Sequence, residues 1–250
     1  MSGHSKWATI KRKKGKLDAE RGKKFTRLIK ELTVAAREGG GDPDGNPRLR
    51  TAIAAAKADN MPADNIKRAI LKGTGQLPGV SYESITYEGY GPGGVALYLE
   101  VLTDNKNRIV SEIRHTLTKY GGNLGSSGCV AWMFSKRGVI TVDHEAANED
   151  ALLEVALEAG ADDLKNETGA FEVLMDPTVL DDVRQAIEGK GIKIASAEVT
   201  MVPQNTTTLT KEGDASSMLK MLDLLEEMDD VQKVYSNFDI DQKLMEKLAG

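Results

Sequence analysis

Three histidines, His4, His115 and His144, and a single cysteine, Cys129, are the side chains of this 250-residue chain best suited to metal-ligand or nucleophilic chemistry. They are scattered. No pair of histidines has a zinc-ligand spacing, and none stands next to Cys129 in the sequence. One cysteine excludes an intrachain disulfide and a cysteine zinc cluster, and a reducing cytoplasm is the natural setting. Cys129 falls in an apolar stretch, where a strand with the thiol as inert core is expected. There is no Gly-x-Ser-x-Gly elbow. Glu149, Asp150, Glu154, Glu158, Asp162 and Asp163 read as the solvated face of an acidic helix and not as an acid and base pair. The expectation is a chain with no catalytic residues, no metal and no cofactor, and therefore no enzyme.

The cations are the opposite case. Lys6, Lys11, Arg12, Lys13, Lys14, Lys16, Arg21, Lys23, Lys24, Arg27 and Lys30 put 11 positive charges in the first 30 residues, against Asp18 and Glu20 alone. Residues 1–75 hold 18 Lys+Arg and 8 Asp+Glu, a balance of +10, within a chain of net charge −5. The remainder is therefore at −15, and so strong a polarity implies two electrostatic tasks. A solubilising surface usually mixes both signs, whereas a one-sign segment displaces the counterions of a polyanion and binds it with steep salt dependence. Nucleic acid is the favoured partner, with a membrane surface or an acidic protein as the competing ones. Trp7, near His4, offers a flat ring for stacking on an exposed base; its plainer role is a peg pinning the arm to the rest of the domain.

Two further segments invite an anion-binding reading. Gly89-Tyr90-Gly91-Pro92-Gly93-Gly94 lacks the Gly-Lys-Ser/Thr ending of a P-loop and precedes a strand, so a turn between strands is expected. Thr103-Asp104-Asn105-Lys106-Asn107-Arg108 joins a strand to a helix N-terminus, where free N–H groups and Arg108 suit an anion. Simple capping by Asn or Asp is the preferred alternative.

The elements that must position these residues follow from periodicity. Met1 to Lys16 reads as an extended basic arm. From Asp18 a helix puts Phe25, Leu28, Ile29, Leu32, Ala35 and Ala36 in one arc, with Lys23, Arg27, Lys30 and Arg37 opposite. Gly39 to Pro43 ends it. Asn46-Pro47 starts a second helix that buries Leu49, Ile53 and Ala56 and ends near Asn60. Met61-Pro62 opens a third, with Ile66, Ile70 and Leu71 inward and Gly73 at its end. Strands are expected at 81–88, 95–102 and 129–134 with a helix at 107–120, then β-α-β-α-β over 138–202, a polar link at 204–213, a helix at 215–228 and a strand at 231–238. The fold class is α+β multidomain: 1–78, a basic arm and helical bundle; 79–135 plus 204–250, one α/β domain; 136–203, a second inserted in it. Both α/β units are expected to be ferredoxin-like sandwiches. No apolar run approaches the ~20 residues of a membrane-spanning helix, and the basic start lacks the apolar core of a secretory signal.

Gly3-His4-Ser5-Lys6-Trp7, Gly40-Gly41-Asp42-Pro43, Asn46-Pro47-Arg48-Leu49-Arg50, Asn60-Met61-Pro62, Tyr87-Glu88-Gly89-Tyr90-Gly91-Pro92-Gly93-Gly94, Leu102-Thr103-Asp104-Asn105 and Gly121-Gly122-Asn123-Leu124-Gly125 together resemble the YebC family. The mitochondrial relatives of that family are translational activators of cytochrome c oxidase I. The resemblance spans the whole chain. It implies one helical and two α/β domains around a cleft, no enzymatic activity, and nucleic-acid-binding residues matching Lys6 through Lys30. It also implies two functions: a DNA-binding regulator of transcription, or a ribosome-associated factor that binds ribosomal or transfer RNA and helps translation through proline runs. The spacing supports no helix-turn-helix recognition helix, which weighs against the first.

Overall fold

The computed structural model describes residues 17–167, 169–241, 244, 247 and 248, with side chains from Gly22 onward except that of Glu167. The arm over Met1 to Lys16, and with it Lys6, Trp7, Lys11, Arg12, Lys13, Lys14 and Lys16, lies outside the described residues. The described chain forms two compact units, 17–129 with Lys211–Val234, and 130–210 with 235–248.

The first unit begins with three helices, α1 (Leu17–Gly39), α2 (Pro47–Ala58) and α3 (Ala63–Gly73). The apolar arc of α1 is the one the periodicity predicts. Leu32, Ala35 and Ala36 are buried with Leu49, Ala52, Ala56, Met61, Ile66 and Ala69, and Phe25, Leu28, Ile29, Ile53 and Ile70 pack around them. Asn46 caps α2: its Oδ1 accepts from Leu49 N at 3.0 Å, and its Nδ2 donates to Ala35 O at 2.8 Å and Gly40 O at 2.9 Å. One side chain thus starts α2 and closes the end of α1. Gly73 is more than a terminator. A Cβ there would stand 2.3 Å from Thr33 O, so α3 meets α1 at backbone contact distance.

Strands β1 (Glu83–Tyr90) and β2 (Ala96–Thr103) form an antiparallel hairpin with Tyr90 opposite Ala96, linked by the 3-10 turn Pro92–Gly94. The glycine-rich segment is therefore the turn expected. Helix α4 (Lys106–Lys119) and the two-residue strand β3 (Asn123–Leu124) follow. Late in the chain, α7 (Glu212–Glu227) leads into β9 (Val231–Ser236), which lies beside β2 in a sheet of order β3-β1-β2-β9. Val95, Leu97, Leu99 and Val101 are buried, and so are Ala96 and Leu102 of the alternate face, with Ile109, Ile113, Leu117, Met218, Leu222 and Leu225 supplying the helical layer.

The second unit carries β4 (Phe134–Asp143), α5 (Glu149–Glu158), β5 (Asp163–Glu167), β6 (Ala170–Met175), α6 (Leu180–Gly189) and β7 (Ser196–Pro203) in an antiparallel sheet of order β5-β6-β4-β7. This is βαββαβ, the connectivity of a ferredoxin-like sandwich. In the first unit the hairpin precedes its first helix, so that connectivity is not reproduced there. A parallel pair, β8 (Thr207–Leu209) with β10 (Phe238–Ile240), completes the second unit.

Three expectations need correction. Residues 129–134 are not a strand: Cys129 is half-buried in a turn, residues 131–133 form a 3-10 helix, and β4 begins only at Phe134. The strand β5 was not expected, because Asp163-Leu164-Lys165-Asn166-Glu167 has one apolar residue and pairs along a single edge. The polar link contains β8. Elsewhere the expected helices and strands stand within a few residues of their predicted ends.

Candidate nucleic-acid interface

The predicted cations that fall on α1 meet different fates, decided by an acidic turn between α7 and β9. That turn supplies Asp230, 6% exposed, which pairs with Lys30, also 6% exposed, through Nζ to Oδ1 at 2.6 Å. Lys30 Nζ also donates to Asp229 O at 2.8 Å and sits 5.5 Å from the Tyr82 ring centre. The second carboxylate oxygen of Asp230 accepts from Thr103 Oγ1 at 2.8 Å and from Arg108 NH2 at 2.7 Å. Its backbone carbonyl accepts from Leu102 N at 2.8 Å, tying β9 to β2. Burial alone would raise the Asp230 carboxyl; the hydrogen bonds from Lys30, Arg108 and Thr103 outweigh it and hold the carboxyl below the usual aspartate range.

The segment after β2 is built for this hub. Asn105 has an extended backbone and its Oδ1 accepts from Arg108 N at 3.1 Å, capping α4. Thr103 Oγ1 accepts from Asn105 N at 3.0 Å while donating to Asp230. Arg108, so placed, also reaches Asp104 at 2.7 Å, and its hydrogen bonds to Asp230 first and Asp104 second raise its pKa further. The capping alternative therefore holds over anion capture. A cleft of about 350 Å³ opens beside the hub, where Asp104, Glu112, Asp229 and Asp230 outnumber Lys30 and Arg108. Its acidic excess disfavours a phosphate.

Arg27 is half-buried. Its guanidinium donates to Glu226 O while Nε is buried without a partner, and burial lowers its pKa against the pull of Glu226 and Asp229. Lys24 is exposed and paired with Asp59 at 2.5 Å; Lys23 is half-buried; Arg21 lies in α1. The face of α1 opposite its apolar arc is thus partly consumed inside the chain: Arg27 and Lys30 answer the acidic turn. Sequence reasoning could not see this, since the partners lie 199 and 200 positions away.

Other basic residues of the bundle stand outside. Arg50, Lys57, Lys67, Arg68 and Lys72 are exposed on α2 and α3. The signal for them was present in the +10 balance, but the run of candidate residues stops at Lys30. Of the remaining chemistry-bearing groups, Cys129 has its thiol pushed up by burial and then by Glu88, His144 packs on Phe171 at 4.4 Å between ring centres, and His115 is exposed. Among the described residues no cluster of three or more His, Cys, Asp or Glu could hold a metal ion, and no helix is long and apolar enough to cross a membrane.

Similarity to known proteins runs along most of the chain. Residues 5–76 match the family model described as TACO1/YebC protein N-terminal domain, and residues 82–238 match the one described as TACO1/YebC second and third domain. A protein of Syntrophus aciditrophicus (strain SB) named probable transcriptional regulatory protein is 61% identical over 251 residues, covering all of both chains. One of Geobacter sulfurreducens with the same descriptive name is 59% identical, covering 99% of this chain and 100% of that one. The crystal structure of a conserved hypothetical protein from Aquifex aeolicus superposes with a TM-score of 0.80 at 47% identity, over 91% of this chain and 93% of that one.

Proposed function

Because the chain belongs to the TACO1/YebC family, we propose that it is a non-enzymatic, cytoplasmic regulator of gene expression that binds nucleic acid through its basic N-terminal segment, acting on DNA as a transcriptional regulator. The observation that carries this reading is the charge polarity, +10 over residues 1–75 in a chain of net −5. Such a segment gains affinity by counterion release from a polyphosphate, and the acidic remainder restricts where that partner sits. The names of the relatives agree with a role in transcription.

A second reading has its own support. A lysine- and arginine-rich arm with one tryptophan suits folding onto a structured RNA surface, so the same segment would serve a ribosome-associated translation factor that binds ribosomal or transfer RNA and relieves stalls. With either partner, residues 1–78, 79–135 plus 204–250, and 136–203 form three domains, the last inserted in the second. The return of β9 to the side of β2 after the whole of β4–β7 supports that division.

The deciding experiment measures affinity for several duplex DNA sequences across a salt series, alongside co-sedimentation with ribosomes from lysate. Transcriptional regulation requires a tighter complex on one DNA sequence. Equal affinity for all duplexes together with co-sedimentation would replace it by the ribosomal reading.

A further inference from the structure

We infer that the exposed faces of α2 and α3, through Arg50, Lys57, Arg68 and Lys72, form a second phosphodiester-binding surface, distinct from the arm and from α1. This rests on the proposed nucleic-acid function and deepens it by naming where the partner's backbone is held.

Three cations of α1 are already engaged within the chain. Arg27 and Lys30 are tied to Glu226, Asp229 and Asp230, and Lys24 pairs with Asp59. On α2, Arg48 lies on the flank toward α1, with Glu31 at 2.7 Å and Glu38 at 2.6 Å. Arg50 and Lys57 lie on the other flank of α2, two turns apart, and both are exposed. Neither is ion-paired among the described residues; Arg50 reaches only a backbone carbonyl, Asp44 O, at 3.5 Å. On α3, Arg68 and Lys72 are one turn apart, roughly 6 Å along the axis, exposed and likewise without an ion pair among the described residues. The two helices together carry six cations against one acid, Asp64.

The surface is therefore one-signed where α1 is not, and its long flexible cations suit phosphates more than base edges. Residues 59–62 join α2 to α3 over a length that helix-turn-helix units use, with Asn60 at φ 58°. However, α3 presents no Gln, and its one Asn, Asn65, is half-buried. Base reading has little to work with there. Backbone holding is what remains.

The test uses the full chain with Arg50→Gln, Lys57→Gln, Arg68→Gln and Lys72→Gln combined, measured with duplex DNA and with a structured RNA at several salt concentrations. The slope of log affinity against log salt should fall by about 3, at roughly 0.7–0.9 for each phosphate no longer neutralised, with the thermal midpoint nearly unchanged. A matched variant changing the exposed Lys165, Lys190, Lys193 and Lys220 to Gln alters net charge equally and should leave the slope intact. An equal fall in both variants would mean that only net charge is read, and overturns the surface. A wild-type slope in the α2–α3 variant, with the wild type itself binding, overturns the surface and leaves the proposed function standing. Absence of salt-dependent binding by the wild type to either polymer overturns both.

Discussion

Asp230 accepts three hydrogen bonds from two cations and a hydroxyl, and it stands almost out of solvent with Lys30. Removing one partner of such a pair leaves an uncompensated buried charge, so Asp230→Asn should cost about 3–5 kcal/mol in denaturant unfolding. The sign of its pH dependence follows from its lowered carboxyl. The stabilisation is fully present above the unfolded value near ~3.9 and is lost as pH falls through the lower folded value. The thermal midpoint of the wild type should therefore drop more steeply below about pH 4 than that of Asp230→Asn; parallel curves would contradict the assignment. Asn46 is the second residue with several duties. Asn46→Ala should cost about 2–3 kcal/mol, from the missing cap and two orphaned carbonyls at Ala35 and Gly40. Asn46→Asp restores the acceptor for Leu49 N and not the donors, so it should recover only part of that stability.

At the scale of elements, α1 shows why an amphipathic pattern is not a solvent map. Its apolar arc was readable from spacing, because burying Leu32, Ala35 and Ala36 is a local consequence of a 3.6-residue period. Its basic face was readable as basic, but not as engaged. If Arg27 and Lys30 are internal partners, then changing Lys11, Arg12, Lys13, Lys14 and Lys16 to Ala should lower the salt slope by roughly 0.7–0.9 for each phosphate they neutralise. Changing Lys30 to Ala should instead reduce stability and leave the slope alone. A Lys30→Ala protein that folds normally and binds less steeply would place that residue at the nucleic acid after all. The strand β5 was illegible for a related reason: its partner β6 supplies what its own polar sequence does not. Cys129 was expected in a strand because an apolar run cannot report that Gly125 and Gly128 turn the chain around it.

For the molecule as a whole, the +10 segment predicts polyanion affinity that collapses with salt whichever polymer is bound, and the comparison of duplex sequences with ribosomes decides between regulator and translation factor. Composition, charge distribution and periodicity by themselves determined the helical N-terminal bundle, the antiparallel sheets, the caps at Asn46 and Asn105 and the absence of recognisable catalytic motifs. Each of these depends on residue types a few positions apart. Only the tertiary structure decided which cations are spent and which are left. Lys30 finds its partner 200 residues away because β9 returns to lie beside β2 and carries Asp230 with it, whereas α2 and α3 meet no such acidic turn among the described residues. Charge is a property of the sequence, but its availability depends on contacts that only folding makes.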